Sequence, residues 1–138
     1  MWGSRFAGRY LERMRDVATT SLSADERALL ERFAALLRDR LGPELHAVWL
    51  FGSRARGEPP THEDSDVDVL VIVDDDSWEG GKKQAHGAFN DAARELGLER
   101  LWFSVHIHTP EWLEGRRAIK CFFIGEVDRD KVVIEGSP

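Results

Sequence analysis

The stretch FGSRARGEPPTHEDSDVDVLVIV, Phe51 to Val73, decides the fold. It continues a short apolar run, Leu45 to Phe51, whose length and composition predict a buried strand. That strand runs into Gly52-Ser53, where a short helix is expected to start. Residues 58–65 are polar and contain Pro59-Pro60, the signature of a loop. Val67 to Val73 is a near-continuous β-branched run, the kind that occupies the centre of a sheet. Asp66 and Asp68 stand one residue apart at its head, so on a strand both carboxylates leave on the same face.

Working outward, Ser23 and Glu26 form a capping-box pattern ahead of a helix whose apolar stripe is Leu29, Leu30, Phe33, Leu36, Leu37 and Leu41; Gly42-Pro43 stops it. Asp74-Asp75-Asp76 ends the β-branched strand. A helix is expected from Gly81 to Leu96, with Gly97 as its stop. Leu101 to His108 alternates: Leu101, Phe103, Val105 and Ile107 face one way, and Trp102, Ser104, His106 and His108 the other. Thr109-Pro110 starts a helix expected to reach Ile124. Lys131 to Ile134 reads as an edge strand, and the tail Gly136-Ser137-Pro138 is expected to fray.

At the other end, residues 4–20 predict a helix with Trp2, Phe6, Tyr10, Met14 and Val17 near one side and Arg5, Arg9, Arg13 and Arg15 over the rest. Such a helix packs on its own domain or serves as a partner-binding or dimerising arm. The order α-α-β-α-β-α-β-α-β predicts an α/β or α+β fold with a small mixed sheet flanked by helices. A length of 138 residues and 42% hydrophobic content predict one domain over 1–138, with a helical extension at 1–22 and the core at 45–134.

The formal net charge of −6 argues against extended nucleic-acid binding, which needs a basic footprint. It does not exclude one small nucleotide held through a metal. The single cysteine, Cys121, excludes an intrachain disulfide, predicts a reducing, cytoplasmic setting and, lying in an apolar stretch, reads as a core thiol. No apolar run approaches membrane-spanning length, and the N-terminus lacks a signal-peptide core.

The central segment carries chemistry. Gly52 permits close backbone approach to a phosphate, and Ser53 adds a hydroxyl donor beside free backbone N–H groups. Arg54 or Arg56 is placed to meet phosphate oxygens. Asp66 and Asp68 are the carboxylates that Mg²⁺ prefers. Glu58 to Gly81 holds nine acidic residues and no Lys or Arg, so a solvated acidic face is the plain alternative. Carboxylates crowded on a buried strand pattern favour a bound cation instead. A phosphate turn beside a magnesium pair is the minimum equipment for handling a nucleoside triphosphate.

On Gly52-Ser53, the linker Arg54-Ala55-Arg56-Gly57 and Ser65-Asp66-Val67-Asp68, the chain resembles the DNA polymerase β-type nucleotidyltransferase superfamily, in its small single-domain branch, the minimal, antitoxin-like nucleotidyltransferases. A weaker resemblance runs through Val73 and along Phe103–Trp112, Phe122-Phe123 and Asp130–Ile134. The resemblance implies Gly52 and Ser53 at the triphosphate, with Arg54, Arg56 and Ser65 beside it, and Asp66 and Asp68 on Mg²⁺. It implies transfer of a nucleoside monophosphate, AMP from ATP, to a hydroxyl of a protein or small molecule. It also implies a helical partner of the HEPN type, in a toxin–antitoxin setting; self-association through the Trp2 to Val17 helix is the other expectation.

Two departures stand out. The linker from Ser53 to Asp66 is longer than the usual pattern. A third carboxylate, which the resemblance implies on a later strand, is absent: the polar face of Leu101–His108 offers Trp102, Ser104, His106 and His108. Ser104 stands where the acid would be. His106 is a substitute ligand or proton acceptor, or an ordinary exposed residue. Glu99 and Glu111 flank that strand. Two functions follow: an active Mg²⁺-dependent nucleotidyltransferase, or a catalytically degenerate relative that binds nucleotide or acts as an antitoxin-like partner. An antibiotic-modifying type of transferase fits less well, because it needs an additional acceptor-binding domain.

Overall fold

The computed structural model describes residues 20–59 and 66–138. The helix expected at 4–20 and most of the 58–65 loop, Ser65 included, lie outside the described residues. Of the expected extension, Thr20 to Leu22 is described and is not helical. Leu22 packs into the core and the Ser21 N–H donates to Arg54 O in the helical turn after the first strand, so this end is built into the domain.

Helix α1 (Ala24–Leu41) opens with the expected capping box. Ser23 Oγ accepts from the Glu26 N–H at 3.1 Å, and the Ser23 N–H donates to Glu26 Oε1 at 2.9 Å. Its buried face is Leu29, Leu30, Phe33, Ala34 and Leu37, and each large side chain buried there contributes about 1.5–3 kcal/mol. A short 3₁₀ turn at Gly42–Glu44 ends it. The chain then forms β1 (Leu45–Phe51), the single helical turn α2 (Gly52–Ala55), β2 (Val67–Val73), α3 (Gly81–Leu96), β3 (Phe103–His108), α4 (Pro110–Ala118), α5 (Phe122–Asp130) and β4 (Val132–Gly136).

The four strands make one mixed sheet in the order β3-β2-β1-β4. β1 is antiparallel to both β2 and β4, and β2 is parallel to β3. The β-branched strand is interior, as its composition predicts. Period-two alternation divides the core. Leu50, Val67, Val69, Val71 and Val73 face α1 and α3. Trp49, Phe51, Leu70 and Ile72 face the other way, against Leu113 of α4 and Ile124 and Val127 of α5. Asp66 and Asp68, in step with Leu70 and Ile72, belong to this second face.

Four expectations need correction. β3 begins at Phe103 rather than Leu101, because β2 begins at Val67 and offers nothing earlier to pair with. Trp102 consequently stands 79% exposed.

The helix expected to run from Pro110 to Ile124 is two helices. Lys120 adopts φ 52°, its N–H donates to Arg117 O at 3.1 Å, and the Cys121 N–H reaches Arg116 O at 3.0 Å. This is a Schellman stop with lysine where glycine is usual, so no glycine announces it. Cys121 then lies at the head of α5, half-buried and packed against the Trp49 cluster rather than sealed within it. The N–H groups of Ile124 and Phe123 hold its thiol below the usual range.

The tail is pinned rather than frayed. The Ser137 N–H donates to His46 O at 2.9 Å, and the buried Trp49 indole donates to Ser137 O at 2.7 Å. Gly136, at φ 79°, makes this approach possible: a Cβ there would lie 2.1 Å from His46 O.

Candidate active site

The site forms where β1 ends and β2 begins. Phe51, the last residue of β1, pairs with Asp68. Gly52 then turns the chain at φ 78°, and a Cβ on it would fall 2.6 Å from Asp68 Oδ2. The glycine turn and the carboxylate are thus in direct contact, which a residue with a side chain would prevent. Within α2 the first N–H groups have no preceding turn to bond to. Ser53 and Arg56, three residues apart, share one side of it.

On the other side of β2, Asp68 pairs with Ser104 of β3. Ser104 Oγ donates to Asp66 Oδ2 at 2.9 Å. His106, two residues on, sets its ring 5.6 Å from that of Phe51. Asp68 is half-buried, and its carboxyl lies above the usual carboxylate range. Burial is the main cause and the neighbouring Asp66 charge adds to it, against the opposing pull of His106 and Arg56.

Phe51, Gly52, Ser53, Arg56 and Asp68 line a cavity of about 340 Å³ that Phe123, Glu126 and Val127 of α5 close from the opposite wall. A larger cavity, about 440 Å³, lies at the α4–α5 corner among Arg117, Lys120, Phe122 and Asp128. Its carboxylates, Glu126 and Asp128, are ion-paired with Arg129, Arg117 and Lys131, and it has no glycine turn at a strand end, so the smaller cavity is the candidate site.

Among the described residues neither Asp66 nor Asp68 has a cationic side chain within ion-pair distance, and no three acidic, histidine or cysteine side chains converge on one point. Two crowded carboxylates without a full protein cage suit Mg²⁺, which is commonly held by one or two carboxylates with water and substrate phosphates completing its shell. They do not suit a structural metal, which needs a closed set of protein ligands.

Residues 30–132 match the family described as the nucleotidyltransferase domain. The chain belongs to that nucleotidyltransferase family. Among solved structures it is similar to a doubly substituted mutant of the toxin–antitoxin MntA-HpeT, at 19% identity over 78% of this chain and 73% of that one, with a TM-score of 0.46. It is also similar to a toxin–antitoxin crystallised with AMP-PNP, at 22% identity over the same shares, with a TM-score of 0.45. No curated protein matches the chain.

In this nucleotidyltransferase domain, Gly52, Ser53, Arg56 and Asp68 come together at one cavity, and Asp66 and Ser104 are hydrogen-bonded beside it. Arg54 goes elsewhere. It is 4% exposed, ion-paired with Glu26, and donates to Ser21 O at 2.9 Å and Ser21 Oγ at 3.1 Å. Its role is to fasten α2, and with it the Gly52-Ser53 turn, to the head of α1. His106 is near enough for its charge to act on Asp68 but does not complete a metal cage.

The sequence missed the α5 wall. Its signal was present: Ile124, Val127 and Asp130 recur every third residue and are all buried, so a carboxylate ends an apolar stripe and must be paired.

The Arg54–Glu26 pair makes the turn's anchor pH-sensitive. Burial alone would raise the Glu26 carboxyl, but the Arg54 and Ser23 hydrogen bonds outweigh it and hold it below the usual value of 4.5. A depressed carboxyl contributes stability above its unfolded value and loses it as pH falls through the folded one. Melting temperatures of the parent should therefore fall more steeply with acid below pH 4.5 than those of Glu26→Gln. The two curves should converge in acid; parallel curves would mean that the pair does not titrate with folding.

Proposed function

We propose that the chain is a Mg²⁺-dependent nucleotidyltransferase that moves AMP from ATP to a hydroxyl acceptor, in one domain whose core is residues 45–134. The observation that carries this reading is the contact between the Gly52 turn and the Asp68 carboxylate. It sets a phosphate-binding turn and a metal-binding group side by side.

In this scheme Gly52 and Ser53 hold the β- and γ-phosphates with backbone N–H groups and the Ser53 hydroxyl, and Arg56 adds a charged donor. Asp66 and Asp68 hold Mg²⁺, which when bound neutralises phosphate charge and polarises the reacting oxygens. The acceptor oxygen bonds to the α-phosphorus as the bond to the pyrophosphate oxygen breaks. In-line displacement sets the attacking oxygen opposite the leaving pyrophosphate. With pyrophosphate on the β1 side, the acceptor approaches from β3, past Ser104 and Trp102. The acceptor hydroxyl must still lose its proton, and Ser104 is no base for it.

Ser104 is also the observation behind a second reading, a degenerate transferase that binds nucleotide and works through a partner. A HEPN-type helical protein in a toxin–antitoxin pair fits either reading, as acceptor in the first and as ligand in the second.

Ser104→Asp separates the two. The residue already sits opposite Asp68 and touches Asp66, so a carboxylate there would supply the missing base and a further metal ligand. Radiolabelled AMP incorporation, measured from labelled ATP with Mg²⁺, should rise by about a hundredfold or more if the site lacks only that acid. No incorporation by parent or variant, with nucleotide still bound, would favour the binding protein. Neither binding nor incorporation would remove both readings.

A further inference from the structure

We propose that Asp130 is a positioning residue for phosphate binding: from its buried place at the end of α5 it holds the Arg56 guanidinium at the cavity, in the orientation a triphosphate needs. This rests on the nucleotide site proposed above.

Asp130 is 3% exposed; among the described residues it and Arg54 are the buried charged side chains. Its location is unfavourable for stability. It ends a stripe of apolar side chains and is the last residue of its helix, where the negative end of the helix dipole disfavours a carboxylate. An apolar residue would fill that place at less cost.

Its charge is already answered by Arg129, which donates from Nη2 at 2.9 Å and from Nε at 3.1 Å. Neutralisation therefore does not require Arg56, yet Arg56 Nη1 also lies 3.4 Å from Asp130 Oδ2. From the other side Arg56 Nε donates to Glu58 at 2.6 Å. Two of the three guanidinium nitrogens are thereby held. Among the described residues Nη2 has no hydrogen-bond partner, and Arg56 lines the cavity with Gly52, Ser53 and Asp68. A guanidinium fixed in advance with donors to spare loses little freedom when a phosphate arrives.

The test is a double-mutant cycle on parent, Asp130→Asn, Arg56→Ala and the double variant. Affinities are measured by calorimetry for ATP and for inorganic tripolyphosphate, both with Mg²⁺. Asp130→Asn should weaken both probes by about tenfold, the scale of one hydrogen bond to a charged group. The double variant should bind as Arg56→Ala does, because Asp130 acts only through Arg56. The Arg56 Nε–H resonance should also move in Asp130→Asn, a change that general loosening of α5 would not confine to that arginine.

Unchanged affinity in Asp130→Asn, or an equal loss from it when Arg56 is already gone, would overturn the proposal while leaving the nucleotide site standing. Failure of the parent to bind either probe would instead remove the site, and Asp130's role with it. Should Asp130→Asn not fold, Asp130→Leu continues the Ile124–Val127 stripe and enters the same cycle.

Discussion

Asp66→Asn/Asp68→Asn should lose Mg²⁺-dependent ATP binding by on the order of a hundredfold or more, two charged ligands being removed at once, and should fold as well as the parent or slightly better. The second half follows from Asp68. Its carboxyl is raised by burial and then by the Asp66 charge. A raised carboxyl destabilises the fold while it is ionised, and the parent regains that stability as pH falls through the raised value. The double variant carries no such charge, so its melting temperature at neutral pH should equal or exceed the parent's. Mg²⁺ with ATP should raise the melting temperature of the parent and not of the variant. A variant that is shifted as much as the parent would show that the Asp pair holds no metal.

Gly52→Ala should damage fold and binding together, and Gly97→Ala the fold alone. Both glycines adopt positive φ, 78° and 68°, which costs a residue with a Cβ about 1–2 kcal/mol. They differ in what the new methyl meets. At Gly97 nothing lies within 4 Å. At Gly52 the methyl would sit 2.6 Å from Asp68 Oδ2 and must displace the carboxylate. Gly97→Ala should thus lower the melting temperature by about 4–8 °C and leave ATP affinity unchanged. Gly52→Ala should lower it at least as far and weaken ATP with Mg²⁺ by more than about tenfold. Equal ATP affinity in the two variants would separate the turn from the metal pair.

The parts of this domain that strict local rules govern were legible in the sequence. The capping box at Ser23, the αL stop at Gly97, the interior strand Val67–Val73 and the shared face of Asp66 and Asp68 each follow from one period or one cap. What was not legible depended on tertiary partners. Lys120 takes a conformation that normally calls for glycine, so the break between α4 and α5 left no mark in composition. Ser137 is ordered by a hydrogen bond from Trp49, 88 residues away. Arg54 and Arg56 look equivalent in sequence; only the location of Glu26 and Asp130 sends one into the α1 junction and the other to the cavity. Ser104, by contrast, was placed by strand alternation together with the family resemblance, and it lies opposite Asp68.

The absence of a carboxylate at Ser104 bears on catalysis more than on binding. Metal and triphosphate contacts are assigned to Asp66, Asp68, Gly52, Ser53 and Arg56, and none of these requires the third acid. Binding therefore precedes catalysis as the question to settle. The most direct measurement is calorimetric titration of ATP into the parent protein, once with Mg²⁺ and once with EDTA. Saturable binding with Mg²⁺ that disappears in EDTA is the predicted result. Binding of equal strength in both, or none in either, would contradict a metal–triphosphate site at Asp66 and Asp68.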